Sequence, residues 1–159
     1  MHNLLNNLGF GFMKYMSFKR LKCFFYLTLS KVLPIQGHQR YIFVKLAGVN
    51  IVGKPRIYRN VYFDTTAPEL ITVHHNATIT QGTTILTHFL QNKGPGNWFR
   101  LGAVKIEEDV FIGCNVTICN SVTIGKGSIV GAGSVVTKDI PPYQVWAGNP
   151  ARYIKDREH

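Results

Sequence analysis

Acidic residues are missing from the first 63 positions: between Met1 and Phe63 there is no aspartate and no glutamate. The same stretch holds ten basic residues, Lys14, Lys19, Arg20, Lys22, Lys31, Arg40, Lys45, Lys54, Arg56 and Arg59. From Asp64 to His159 eight basic residues face eight acidic ones, so the whole net charge of +10 belongs to the leader. A chain that is basic throughout, as a nucleic-acid binder would be, is a poor description of this one. Cysteine is also scarce. Cys23, Cys114 and Cys119 form no CxxC or Cys/His finger spacing, which excludes a disulfide framework and a structural zinc site. They point to a reducing compartment. Long apolar runs are absent near the N-terminus. The longest, Cys23 to Leu29, is far short of the ~20 residues that span a bilayer. No small-residue cleavage pattern follows it, so no signal peptide is expected. What remains is enough for one core. The chain has 159 residues, 45% apolar and 16% charged, a length that favours a single domain.

What is present is a period of six. From Ile106 the chain reads as six hexads: IEEDVF, IGCNVT, ICNSVT, IGKGSI, VGAGSV and VTKDIP. The first position is always aliphatic (Ile106, Ile112, Ile118, Ile124, Val130, Val136), and the fifth is small or β-branched (Val110, Val116, Val122, Ser128, Ser134, Ile140). Apolar positions six apart rotate around a 3.6-residue helix and never form a stripe. On extended segments they share one face. Gly, Asn and Asp between them supply corners. Three strands and three corners make a triangular coil of about 18 residues, and successive coils stack about 4.8 Å apart. A β-sandwich would not keep six consecutive hexads in phase. The ladder continues upstream through Val73, Ile79 and Ile85, and through Ile57 and Phe63. Two insertions break its phase, a small one around Pro68-Glu69-Leu70 and a larger one from Phe89 to Ala103, whose Gly-Pro-Gly reads as loop.

These residues resemble the hexapeptide-repeat acyltransferases. The resemblance spans roughly Ile51 to Lys155. Its most specific pieces are GAGSVVTKDIPPYQVWAGNPARYIK, from Gly131 to Lys155, and TITQGTTILTH, ending at His88. Together they look like the galactoside/maltose, xenobiotic and capsule or colanic-acid O-acetyltransferase branch. The fold this implies is all-β: a left-handed parallel β-helix with an N-terminal helical segment (1–48), a repeat body (49–159) and one excursion loop, about 89–103. Spacing alone gives a coil but not its hand.

The resemblance further implies a homotrimer, with acetyl-CoA in a groove between neighbouring β-helices and one histidine as general base. Carried over, that base is His88. The chemistry agrees, because an acceptor hydroxyl is a weak nucleophile until its proton is removed, and imidazole does this near neutral pH. The attack forms a tetrahedral oxyanion that needs a hydrogen-bond donor. Family contacts to the cofactor fall on Cys114, Ala132, Thr137, Lys138, Arg152 and Lys155. The backbone at Ala132 and Thr137 suits the pantetheine amides, and the three cations suit phosphates. The same cations could also be solvated surface charges. Cys114 stands where relatives often have Ser or Gly, and no nucleophilic role is implied. On the acceptor side Asp64 is the candidate contact, with a plain corner aspartate as the other reading. Trp98 and Arg100 in the excursion could stack on a sugar, cover the CoA arm or form a subunit contact. No metal is expected. The regular hexads contain no histidine, which argues against a γ-type carbonic anhydrase.

The function these features predict is acetyl-CoA-dependent O-acetylation of a saccharide hydroxyl, in cell-surface polysaccharide synthesis, in the cytoplasm or at the inner face of the membrane. Acetylation of another small molecule (an antibiotic hydroxyl, an amino sugar amine or serine) is the alternative. The leader interleaves Lys and Arg with aromatic and aliphatic residues. That pattern suits residues 1–35 as a basic amphipathic segment on an anionic membrane surface, and equally as a helix covering the open end of the coil. A second short helix is expected from about Gln39 to Leu46, ended by Gly48. No nucleic-acid partner is expected.

Overall fold

The computed structural model describes residues 18–91 and 98–158. Two helices precede the coil, α1 (Phe18–Val32) and α2 (Gly37–Leu46). The second starts slightly earlier than the sequence suggests. Arg40 joins the two helices. Its guanidinium is buried and donates to the carbonyls of Ser30 and Ile35, so a cation meets the C-terminal end of α1.

The body is a triangular prism of short parallel strands. One face stacks β1 (Asn50–Ile51), β4 (Ile71–Val73), β9 (Val104–Ile106) and β12 (Val122–Ile124). The second stacks β2 (Arg56–Ile57), β5 (Thr78–Ile79), β10 (Phe111–Ile112), β13 (Ile129–Val130) and β15 (Gln144–Ala147), with β16 (Arg152–Asp156) closing antiparallel on β15. The third stacks β3 (Tyr62–Phe63), β6 (Thr84–Ile85), β11 (Thr117–Ile118) and β14 (Val135–Val136). In the regular part the first-position Ile112 pairs with the first-position Val130, so each coil is three hexads. Phe63 pairs with Ile85 across a longer coil, because the chain between them carries the insertion that forms a 3₁₀ turn at Pro68–Leu70.

The hexad grammar explains this packing. First-position residues such as Ile57, Val73, Ile79, Ile85, Ile106, Ile112, Ile118, Ile124 and Val130 are completely buried, as are Ala77, Thr83, Val116, Ser128 and Ser134 at fifth positions. The buried hydroxyls are satisfied: Ser128 Oγ donates to Gly125 O and Ser134 Oγ donates to Gly131 O, 2.6 Å away. Fourth-position Asp109 and Asn115 turn the corners with φ of 58° and 57°, a left-handed backbone these residues tolerate. Second-position glycines have a different cause. A Cβ on Gly113 would lie 2.6 Å from the backbone nitrogen of Ala132, one coil away. The core continues into the leader through Cys23, Leu27, Val44 and Ala47.

The excursion after His88 is more ordered than a loop. It leaves the prism as an antiparallel hairpin of β7 (His88–Gln91) and β8 (Trp98–Leu101), His88 opposite Leu101 and Phe89 opposite Arg100. HFLQ and WFRL are short segments rich in strand formers, and cross-strand pairing satisfies their backbone away from the coil. Residues 92–97, with the Gly-Pro-Gly, lie outside the described residues.

Candidate active site

His88 stands where the chain leaves the prism between its third and first faces. Two neighbouring coils converge there. Asp64 directly follows β3, and its backbone N–H donates to Ile85 O of the next coil at 3.0 Å. This fixes the aspartate beneath the Leu86–His88 segment. Its side chain is completely buried and turned inward.

Four donors converge on this carboxylate. Thr66 N–H donates to Oδ1 at 2.9 Å. Thr87 donates to Oδ2 from both its backbone N–H and its hydroxyl, each at 2.8 Å. His88 Nδ1 lies 2.5 Å from the same Oδ2. Burial alone would raise the Asp64 pKa. The backbone N–H groups of Thr66 and Thr87, with the His88 and Thr87 side chains, outweigh it and bring the carboxyl down to about 2. An ionised carboxylate only accepts hydrogen bonds, so His88 Nδ1 carries the hydrogen and Nε2 the lone pair. The imidazole is 37% exposed, against 1% for its aspartate. A rigid coil therefore holds one histidine in one tautomer, partly exposed, above a buried negative charge. Chemically, such an arrangement can accept a proton at Nε2.

Of the two sequence readings of Asp64, acceptor contact and corner aspartate, the buried side chain has the geometry of the second. Its hydrogen bonds are directed into the corner, to Thr66, Thr87 and His88. The signal was present in the chain: one full coil, counted with its insertion, brings position 64 under position 86. The other predicted residues do not gather in one pocket of a single chain. Thr137 and Lys138 follow β14, on the same edge of the prism as His88 and two coils further along. Cys114 and Ala132 lie on the edge between the second and third faces, where Gly133 N–H donates to Cys114 O. Arg152 opens β16 opposite Ala147 near that edge, while Lys155 pairs with Val145 on the second face. Ala132, Lys138, Arg152 and Lys155 are exposed, and Cys114 and Thr137 are half-buried. Arg100 is exposed, with its guanidinium 5.8 Å from the Phe89 ring centre. The side chain of Trp98 lies outside the described parts. Burial raises the pKa of Cys119, and that of Cys23 with the added influence of Glu69 and Asp64, so neither thiol is poised as a nucleophile. Among the described residues no group of three His, Cys, Asp or Glu could hold a metal ion.

Comparison with known proteins agrees with this geometry. Residues 103–138 match the family model "Bacterial transferase hexapeptide (six repeats)". The Bacillus subtilis protein named "Putative acetyltransferase YvoF" is 33% identical over 141 residues, covering 88% of this chain and 79% of the relative. The hexapeptide-repeat acetyltransferase VCA0836 of Vibrio cholerae superposes with a TM-score of 0.68 at 25% identity, over 89% of this chain and 92% of that one. A maltose O-acetyltransferase of Clostridium difficile gives 0.62 at 26% identity, over 89% and 87%. The N-acyltransferase AntD of Bacillus cereus, in complex with dTDP and 3-hydroxybutyryl-CoA, gives 0.56 at 25% identity, over 68% and 65%. The prism is thus a left-handed parallel β-helix. The chain belongs to the bacterial hexapeptide-repeat transferases, as an acetyltransferase that takes its acyl group from acetyl-CoA.

Proposed function

We propose that the protein O-acetylates a saccharide hydroxyl in cell-surface polysaccharide synthesis, with His88 as general base and Asp64 as its positioning residue. The observation that carries this reading is the Asp64–His88 pair, 2.5 Å apart, with the carboxylate buried and the imidazole open. His88 Nε2 takes the proton of the acceptor hydroxyl as its oxygen attacks the thioester carbonyl. The tetrahedral oxyanion is held by a backbone N–H of the groove. Its collapse breaks the C–S bond and expels the CoA thiolate, which takes the proton back from the imidazolium. The ester is then free, and His88 is neutral again.

The remaining sites follow as parts of this reading. The cofactor candidates occupy two edges of the prism and its second face, which one subunit cannot close around a single ligand. A homotrimer would bring the Thr137–Lys138 edge of one copy near the Ala132–Arg152 edge of the next. Lys138, Arg152 and Lys155 then serve the CoA phosphates, Ala132 and Thr137 its amides, and Cys114 is a small spacer. Trp98 and Arg100 are offered as acceptor contacts on the hairpin. Three free cysteines support a reducing, cytoplasmic setting.

A second reading, transfer to an amine or another small molecule, is favoured by the likeness to the N-acyltransferase AntD. An acceptor screen with acetyl-CoA, following release of free thiol, separates the two. Saccharide-dependent thiol release that disappears in His88→Ala supports O-acetylation. Release with amino sugars or amines alone would replace it.

A further inference from the structure

Helix α1 has two apolar faces, and the coil uses only one. Cys23, Leu27 and Ser30 turn inward and are buried. On the other side Phe18, Leu21, Phe24, Phe25 and Val32 are 57% to 84% exposed. Phe18, Leu21, Phe25 and Val32 recur at helical spacing and form one stripe along the outside of the protein. Cations border the stripe on both sides, Lys22 on one flank and Arg20 and Lys31 on the other. The helix carries no acidic residue, and none precedes Asp64 in the chain. An apolar stripe edged by cations matches the section of a bilayer surface, in which acyl chains lie beneath anionic headgroups. A second copy of the same helix fits worse, because it would set two rows of cations against each other. No helix among the described residues is long and apolar enough to cross a membrane, so the fit is to the surface.

This face also adjoins the active site. Arg20, Leu21 and Phe24 line a cavity of about 410 Å³ whose other wall is Thr65 and Thr66. Thr66 is the residue whose N–H holds Asp64, and Asp64 holds His88. We propose that the outer face of α1 docks on an anionic lipid bilayer, so that an acceptor saccharide anchored in that bilayer enters beside the Thr65–Thr66 corner. The acceptor class is then a lipid-carried, negatively charged saccharide. This step rests on the saccharide reading above for its acceptor, but the docking surface stands without it.

The test uses the full chain and two vesicle types, phosphatidylcholine alone and phosphatidylcholine mixed with phosphatidylglycerol. Co-sedimentation should occur with the mixed vesicles only, and added salt should weaken it. Lys22→Gln should reduce binding about fivefold, and Phe18→Gln combined with Phe25→Gln about tenfold or more. Neither change touches the cavity, so both proteins should retain thiol release with a soluble saccharide. Binding equal on both vesicle types, no binding, or binding unchanged in the Phe18/Phe25 variant would each overturn the proposal. So would a fall in solution mass of that variant by light scattering, since the face would then be a contact between copies. Vesicle binding reports on the docking alone, whereas saccharide-dependent thiol release reports on the function. Either can therefore fail without the other.

Discussion

Replacing Asp64 by Asn removes one charge and keeps the shape, so it isolates what the carboxylate does for His88. The carboxylate accepts from four donors and offers none. The amide in its place must turn an NH2 toward one side. If that group takes the place of Oδ2, it meets the Thr87 N–H head-on and forces His88 Nδ1 to accept. The proton then sits on Nε2, and the base is lost. If it takes the place of Oδ1, it meets the Thr66 N–H, and the corner loses a charge-assisted hydrogen bond. Such bonds are worth about 1.5–3 kcal/mol each. Either arrangement also removes the buried negative charge beneath the ring. The expected loss in kcat is about 10²–10⁴-fold. Because Asp64 is 1% exposed, neither substrate touches it, and KM for acetyl-CoA and for the acceptor should stay near the parent values. Steady-state thiol release, with circular dichroism to confirm the fold, makes the measurement. A folded Asp64→Asn protein with ordinary kcat would refute the positioning argument. A raised acceptor KM with unchanged kcat would favour the acceptor-contact reading of Asp64.

His88→Ala should lower the acetyl-transfer rate by about two to four orders of magnitude while leaving the thermal midpoint near the parent, measured by thiol release and calorimetry. Ile112→Ala opens a cavity in the middle of the core and should cost about 2–5 kcal/mol in denaturant unfolding; a loss under about 1 kcal/mol would contradict the packing. Gly113→Ala drives a methyl onto the backbone of the next coil, which cannot swing aside, and should cost about 1–3 kcal/mol in the same assay. Asp64 also gives the fold an acid limit. Its folded pKa, about 2, lies below the ordinary value of 3.8, so its stabilisation is complete above that value and fades as pH falls toward 2. The contribution at neutral pH is about 2 kcal/mol, and it should vanish from the pH dependence of unfolding in Asp64→Asn.

The repeat was legible because each hexad repeats one local decision. An aliphatic first residue and a small fifth residue both point inward, and a fourth residue that accepts positive φ turns the corner. Six hexads in phase overdetermine the coil, and the inward positions from Ile106 to Ile140 are buried as that pattern requires. His88 draws attention in the sequence because it is the last residue before the excursion, fourth in the hexad that begins at Ile85. What the sequence hid depends on stacking between coils. Asp64 and His88 belong to different coils, and the phase break at Pro68–Leu70 obscures which upstream residue lies beneath the histidine. The hairpin was hidden differently. Gly-Pro-Gly dominates the local composition, while strand formation at HFLQ and WFRL depends on pairing with each other. The two faces of α1 also confuse a periodicity reading, since apolar residues on both sides with cations between them resemble a weak single stripe.

The division of the proposed cofactor residues follows from the geometry of a prism. Each edge carries one corner per coil, about 4.8 Å apart, so a ligand laid along an edge meets residues from successive coils. On the edge of His88 that order is His88, then Cys119 to Ser121, then Thr137 and Lys138, about 10 Å beyond the base. A long, flexible acyl donor running along this edge can keep its thioester near His88 and its anionic end near Lys138. One convex edge cannot surround it, however, and it needs a second wall. In a closed ring of three prisms the second wall is the neighbour's edge between the second and third faces, where Ala132 and Arg152 stand. The separation of these residues within one chain is therefore an argument for shared sites. Mixing subunits that carry His88→Ala with subunits that carry Arg152→Ala should then recover activity that neither homomer has, because some sites draw both intact residues from different copies. Failure of properly mixed assemblies to recover any activity would return Arg152 to the solvated surface.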